Sequence, residues 1–180
     1  MSDPAARWDA RHAAVTGVVP MPPGALRGRA PLLPSSGRAL DVACGRGAVA
    51  VWLATRGLAT DAVDVSAVGV AAGAELAREW GVDVGWSVHD LDTGLPPGCS
   101  GPYDVVVCQR FRDPALYPAL VAALAPGGLL VITVLSEVGD SGGAFRAAPG
   151  ELATAFAALE VLAHTERDGE ASLVGRRPAR

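Results

Sequence analysis

Short apolar runs alternate with longer Ala-rich or amphipathic segments from Arg38 onward, and this alternation is the main structural signal in the chain. The apolar runs predict strands, and the segments between them predict helices that end near glycines. Predicted strands cover Ala39–Ala43, Ala62–Val65, Val82–Val88, Tyr103–Cys108 and Leu129–Leu135. Predicted helices cover Gly47–Thr55, the segment from the N-cap Ser66 to Trp80, and Pro114–Leu124. Strands separated by helices predict a parallel sheet with right-handed crossovers.

The C-terminal part of the chain follows a different pattern. A predicted helix over Pro149–Leu159 is followed by two strand-like runs, Glu160–Glu166 and Ala171–Arg177. The Asp168-Gly169 pair between them is a strong signal for a tight β-turn. These runs therefore predict an antiparallel hairpin.

The N-terminal residues 1–37 precede this alternation. A short helix is predicted over Asp3–Val15, with Ser2 or Asp3 as its N-cap. Residues 17–37 are rich in Pro and Gly and predict a segment that covers the body of the protein. We therefore divide the chain into residues 1–37, a helix and a covering segment, and residues 38–180, a ligand-binding domain, within one domain overall.

Composition narrows the classes of partner. The 180 residues are half apolar and carry a formal charge of −4, which weakens the case for a nucleic-acid partner. No apolar run is long enough to span a bilayer, and the first residues lack the apolar region of a secretory signal. Three widely spaced cysteines do not suggest a disulfide framework. We expect a cytoplasmic protein without a membrane partner.

Acidic residues follow three successive predicted strands. Asp41 lies at the end of the first strand, before a turn of small residues that runs to Gly47, and Asp64 and Asp90 end the next two strands. The carboxyl ends of parallel strands meet at one edge of a sheet, where open α/β folds bind ligands. The three acids therefore predict a nucleoside-binding edge.

With these residues the chain resembles the class I S-adenosylmethionine-dependent methyltransferases, and most of all their small tellurite-resistance and thiopurine-type branch. The loop reads Asp41-Val-Ala43-Cys44-Gly45-Arg46-Gly47, where the family has an acid-x-Gly-x-Gly-x-Gly pattern. The resemblance implies a doubly wound, mostly parallel seven-stranded α/β sheet with a C-terminal antiparallel hairpin. It also implies an enzyme that moves a methyl group directly from S-adenosylmethionine to a small-molecule acceptor. It gives no oligomeric state.

The resemblance also implies a set of cofactor-binding residues. Glycines permit close backbone approach in the loop, and the following helix N-terminus offers N–H groups to a carboxylate. The implied contacts are Asp64 with the ribose hydroxyls, Val65 with the adenine face, and Asp90 and the Leu91 N–H with the adenine edge. The full predicted set is Asp41, Ala43, Cys44, Gly45, Gly47, Asp64, Val65, Asp90, Leu91 and Cys108. A solvated strand-end acid is the alternative for Asp64.

Acceptor-binding residues are predicted after the fourth and fifth strands. Arg110 is the candidate for an anionic acceptor, because a guanidinium binds oxyanions bidentately, and Phe111 is a candidate pocket wall. Arg146 lies beyond the Gly-rich segment 139–143, which we interpret as a candidate lid. A surface arginine at a helix start is the alternative for Arg110. No convincing general base is found, and the two cysteines Cys44 and Cys108 do not make a metal site.

Two other functions fit parts of the pattern. The letters of Gly45–Ala50 also match the dinucleotide fingerprint, with Asp64 as the ribose acid, which predicts an NAD-dependent oxidoreductase. Asp41 argues against this alternative, because a carboxylate in the loop would repel a pyrophosphate. A non-catalytic binding module with the same fold is the third possibility.

The chain departs from the resembled branch at two places in this loop. That branch often has Arg-Asn where Ala48-Val49 stand here, and an acidic residue at the position of Arg46.

Overall fold

The computed structural model describes residues 4–140 and 142–179, and it places seven strands in one sheet. The strands are β1 (Gly37–Val42), β2 (Leu58–Asp64), β3 (Val84–Val88), β4 (Tyr103–Gln109), β5 (Leu124–Leu135), β6 (Glu160–Arg167) and β7 (Glu170–Arg176). The α-helices are α1 (Pro4–Ala13), α2 (Ala48–Thr55), α3 (Ala67–Glu79), α4 (Tyr117–Ala123) and α5 (Glu151–Ala155). Short 3₁₀ turns occupy Gly24–Leu26, Ala30–Leu32, Leu91–Thr93 and Pro97–Cys99.

The strand order is β3-β2-β1-β4-β5-β7-β6. Strands β1 to β5 pair in parallel, whereas β7 pairs antiparallel with both β5 and β6. The hairpin turns at Asp168 and Gly169, whose φ angles of 53° and 78° match the left-handed pair of a type I′ turn. The predicted doubly wound sheet with its C-terminal hairpin is confirmed.

Alternate residues of the central strands supply the core on both faces of the sheet. Leu40, Val106 and Ile132 pack into one cluster, and their neighbours Val105 and Val131 pack into another. Side chains alternate along a strand, so helices on both faces bury both sets. The topological switch between β1 and β4 therefore lies in the most buried part of the sheet.

Strand bounds differ from the predicted ones where pairing extends beyond the apolar run. Strand β2 begins at Leu58 rather than Ala62, because residues 58–61 pair with residues 37–40 of β1. Strand β5 begins at Leu124 rather than Leu129, although it includes Pro126-Gly127-Gly128, residue types that disfavour regular strands. The N–H of Gly127 donates to the Arg177 carbonyl, which holds this glycine segment against the last residues. The predicted helices over Pro114–Leu124 and Pro149–Leu159 are longer than α4 and α5.

The N-terminal segment packs against the sheet through a few side chains. Leu26 is fully buried in the cluster that contains Val105, and Leu32 and Leu33 pack against the same cluster. The predicted caps Ser2 and Asp3 lie outside the described residues. The division into residues 1–37 and 38–180 stays a prediction. Within the described chain, no helix is long and apolar enough to cross a bilayer.

Candidate functional site

Asp41 ends β1 as a carboxylate buried below the loop that follows. It is 1% exposed, and burial raises its pKa to about 8, while a hydrogen bond from the Ala50 backbone lowers the pKa and the charge of Asp64 raises it. Among the described residues, its Oδ2 has no hydrogen-bond partner. Buried polar atoms are nearly always paired, so an unpaired carboxylate oxygen needs an explanation.

A cleft of about 290 Å³ opens at the carboxyl ends of β1 and β4. It is lined by His12, Val15, Val18, Asp41, Ala43, Cys44, Arg46, Ala48, Val49 and Gln109. Three predicted site residues, Asp41, Ala43 and Cys44, therefore meet at one cavity. Its position at the switch between β1 and β4 is where open α/β sheets bind ligands.

The loop glycines are required by contacts within the protein. Gly47 has a φ of 75°, and a Cβ there would lie 2.5 Å from the Trp86 ring and 3.0 Å from the Gly73 Cα. At Gly45, where φ is 53°, a Cβ would lie 3.0 Å from the His12 ring. Trp86 of β3 thus gives a reason within the protein for glycine at position 47. The predicted cofactor contacts of Gly45 and Gly47 stay predictions.

Asp64 joins the loop to the start of α3. One carboxylate oxygen accepts from the Gly45 N–H and the other from the Ser66 N–H, each at 2.8 Å. Asp64 is only 6% exposed, so the alternative of a solvated strand-end acid is wrong. Each carboxylate oxygen can accept a second hydrogen bond, and the ribose contact stays a prediction, as does that of the half-buried Val65 beside it.

Asp90 and Leu91 lie at the end of β3. Asp90 is exposed and caps the turn Leu91–Thr93 by accepting from the Asp92 N–H at 3.0 Å. The Leu91 side chain is buried in the main core cluster, so only its backbone could face a ligand. Their adenine contacts stay predictions.

The cysteines near the site are neutral thiols. Burial raises the pKa of both Cys44 and Cys108, and the Cys108 thiol lies 3.5 Å from the Phe111 carbonyl. No group of three or more His, Cys, Asp or Glu side chains that could hold a metal occurs within the described residues. The predicted role of Cys108 in lining the transfer path stays a prediction.

Helix α1 covers the loop through contacts that sequence reasoning missed. Asp9 accepts from the Ser66 hydroxyl at 2.5 Å and from the Val68 N–H at 3.1 Å, and these bonds lower its pKa. The His12 ring, stacked on Trp8, lies against Gly45, and the Arg46 guanidinium donates to the His12 carbonyl at 2.7 Å. Nothing local in the sequence of α1 shows which strand ends the helix covers.

Arg110 lies at the end of β4 on the side of the hairpin. Its φ of 57° places it in the left-handed region, and its N–H donates to the Thr133 carbonyl at 2.7 Å. The guanidinium is 74% exposed and lies 3.5 Å from the carboxylate of Glu170. The alternative of a helix-start arginine is wrong, since α4 begins at Tyr117. Phe111, half-buried beside it, packs against the core.

Arg146 is bound within the loop after β5. Its guanidinium donates to the Ser136 carbonyl at 2.8 Å and pairs with Asp140 at 2.6 Å, and its side chain is largely buried. These bonds hold the loop against the β6–β7 turn, whose Gly169 carbonyl is a further acceptor at 3.2 Å. A methyl-acceptor substrate could reach Arg146 only after this loop opens. The predicted role of Arg146 in binding that substrate stays a prediction.

Comparison with known proteins gives consistent similarities. A family model described as a methyltransferase domain matches residues 39–128, half of the chain. A ubiquinone biosynthesis O-methyltransferase from Caulobacter sp. (strain K31) is 33% identical over 105 residues, which cover 56% of this chain and 41% of that protein. A ribosomal RNA small subunit methyltransferase C from Chromohalobacter salexigens is 33% identical over 144 residues, which cover 74% of this chain and 40% of that protein.

Solved structures share the fold. The crystal structure of TehB from Haemophilus influenzae matches with a TM-score of 0.70 at 18% identity, over 79% of this chain and 58% of that chain. The chain spans about two fifths of the length of the two relatives above.

Proposed function

Because the chain belongs to the methyltransferase-domain family, we propose that it transfers a methyl group from S-adenosylmethionine to a small-molecule acceptor. The family expected from the sequence is confirmed by the family match, and S-adenosylmethionine is the cofactor of that family. The acceptor and the site residues are the proposed part.

The unpaired carboxylate oxygen of Asp41 carries the proposal. It lies at the wall of the cleft, and an ammonium is the group that would satisfy a buried carboxylate. The methionine tail of the cofactor carries an ammonium and a carboxylate on the same carbon, and α2 begins at the same loop. The N–H groups at that helix end favour an anion. The residues therefore fit a zwitterionic tail.

The adenosine would lie along the ends of β2 and β3. In this arrangement Asp64 accepts from the ribose hydroxyls, Val65 contacts the adenine, and Asp90 and the Leu91 N–H meet its edge. The bound cofactor supplies an electrophilic methyl group on its sulfonium, so the protein mainly positions the reactants and excludes water.

A dinucleotide is disfavoured at the same loop. A pyrophosphate would bring two negative charges toward Asp41 and would oppose its ionisation. It would also leave the Asp41 Oδ2 without a cationic partner, which an ammonium would supply.

Three observations favour a small acceptor that approaches from the side of β4 and β5. The chain carries a formal charge of −4, which disfavours a polyanion such as RNA. Arg110 extends into solvent beyond β4, where it could hold an anionic acceptor. The Caulobacter relative is named for ubiquinone biosynthesis, although the Chromohalobacter relative is named for ribosomal RNA.

Calorimetric titration with S-adenosylmethionine, S-adenosylhomocysteine and NAD tests the cofactor. We expect S-adenosylhomocysteine to bind in the micromolar range or tighter, and stronger binding of NAD would overturn the proposal.

Steady-state kinetics with thiols, selenols and small carboxylates then test the acceptor. Arg110→Ala should raise KM for an anionic acceptor and leave cofactor affinity nearly intact, with partial rescue by Arg110→Lys. Methylation of RNA but of none of these compounds would refute the small-acceptor part.

A further inference from the structure

We infer that Arg46 binds the carboxylate of the cofactor's amino-acid tail in the cleft that Asp41 also lines. This inference rests on the proposed function and assigns a residue that sequence reasoning noted only as a departure from the resembled branch. In this inference, two side chains of opposite charge that line one cavity recognise the two charged groups of the tail.

The position of Arg46 supports this inference. It lies in the loop between β1 and α2 and lines the same cleft as Asp41, Ala43 and Gln109. The first turn of α2 begins two residues later, so its N–H groups face the same region. An anion there would meet both a guanidinium and a helix N-terminus.

The hydrogen bonds of Arg46 leave part of its guanidinium unused. Its Nη1 donates to the His12 carbonyl at 2.7 Å, whereas its buried Nε finds no acceptor in the described chain. A buried donor on a charged group that lacks a partner destabilises the fold. A carboxylate is the partner that a guanidinium accepts most readily.

Arg46 also makes no ion pair with a carboxylate of the described residues. Asp41 is thus a carboxylate without a cation and Arg46 a cation without a carboxylate, both at the wall of one cleft. A ligand that carries both charges on one carbon satisfies both side chains at once, whereas a simple anion satisfies only Arg46.

The test compares two ligands that differ only in the carboxylate. S-adenosylhomocysteine carries the full tail, and its decarboxylated analogue keeps the amine. Calorimetry should show that the unmodified protein binds S-adenosylhomocysteine tenfold to a hundredfold more tightly. In Arg46→Gln this difference should shrink several-fold because S-adenosylhomocysteine binds more weakly, while affinity for the analogue is unchanged. Arg46→Lys should keep part of the difference.

Two control variants separate this role from effects on structure. Arg56→Gln removes the arginine at the opposite end of α2, which stacks on Trp52, and should leave both affinities unchanged. Asp92→Asn removes an exposed charge away from the cleft and should likewise leave both affinities unchanged.

Each other outcome has a distinct meaning. Equal loss of both ligands in Arg46→Gln, or unchanged binding of S-adenosylhomocysteine, would overturn the inference and leave the proposed function intact. Equal affinity of the unmodified protein for the two ligands would also overturn the inference and leave the proposed function intact. Failure of the unmodified protein to bind S-adenosylhomocysteine would overturn the proposed function and this inference with it.

Discussion

Asp41 and Asp64 are both buried, but only Asp64 has both of its oxygens satisfied. Asp64 takes two backbone N–H groups, whereas Asp41 has an unpaired Oδ2 and a raised pKa. A fold that keeps such a group gives up stability at a position where a ligand can recover it. Asp64 is therefore a structural carboxylate, whereas Asp41 lacks a partner that a bound cation could supply.

Asp41 should make the stability of the unliganded protein depend on pH. Its pKa of about 8 in the folded state exceeds the ordinary value of 3.8. The stability that its protonation contributes is therefore fully present below about pH 4 and is lost as the pH rises through 8. Asp41→Asn cannot ionise, so its stability relative to the unmodified protein should rise over this range, by up to about 1.4 kcal/mol per pH unit. Urea unfolding at pH 5 and pH 8 measures this. The exposed Asp92→Asn serves as control, and parallel pH profiles for Asp41→Asn and the unmodified protein would contradict the assignment.

Asp64→Asn should weaken both the fold and cofactor binding. An amide oxygen can replace only one acceptor, which leaves the Gly45 or the Ser66 N–H without a partner at a cost of about 1–3 kcal/mol. If the carboxylate also holds the ribose, affinity for S-adenosylhomocysteine should fall on the order of tenfold to a hundredfold. Urea unfolding and calorimetry measure the two effects separately. Loss of stability with unchanged affinity would place the ribose elsewhere.

Gly47→Ala should destabilise the protein more than Gly81→Ala. Both glycines have a left-handed φ, but nothing lies within 4 Å of a Cβ at Gly81, whereas Gly47 faces Trp86 and the Gly73 backbone. Gly81→Ala should therefore cost only the conformational strain of about 1–2 kcal/mol, and Gly47→Ala should add a packing clash. Thermal unfolding of the two variants tests this, and equal losses would show that Trp86 moves away at no cost.

Helix α1 is attached to the protein mainly by polar contacts. None of its described residues is buried, and Asp9 joins it to the start of α3. Elements with few buried apolar contacts open at low free-energy cost. Helix α1 is thus placed to cover the cleft without contributing much to global stability.

Asp9→Ala should free α1 while the melting temperature changes little. The Val68 N–H loses its acceptor in this variant, so hydrogen exchange at Val68 and along α1 should accelerate. Arg7→Ala, which changes an exposed residue of the same helix, should leave exchange at Val68 unchanged. A large drop in melting temperature for Asp9→Ala would show that α1 is part of the cooperative core.

The whole molecule should gain stability from the cofactor product. A ligand at a hundred times its Kd stabilises the folded state by about 2.7 kcal/mol. For a chain of this length, that corresponds to a rise in melting temperature of roughly 5–10 °C. We expect this rise with S-adenosylhomocysteine and none with NAD at the same concentration. Equal shifts with both would contradict the discrimination assigned to Asp41.

The sequence by itself determined the class of the fold and the family. Apolar periodicity, the helix cap Ser66 and the Asp168-Gly169 turn are local signals, and each acts over fewer than about four residues of the chain. The acids Asp41, Asp64 and Asp90 could be placed at one edge because parallel strands align their carboxyl ends. Strand bounds were less predictable, since pairing with β1, and not local hydrophobicity, begins β2 at Leu58.

Only the tertiary structure decided which side chains meet in the cleft. Asp9, His12 and Arg46 are local to α1 and to a loop, and their contacts with Ser66 and Gly45 depend on where the N-terminal segment crosses the sheet. Burial likewise gives Asp41 its raised pKa, and burial is a property of everything packed around a residue. Sequence patterns record which residues are neighbours along a strand or helix, whereas a binding site is built by residues brought together from distant segments.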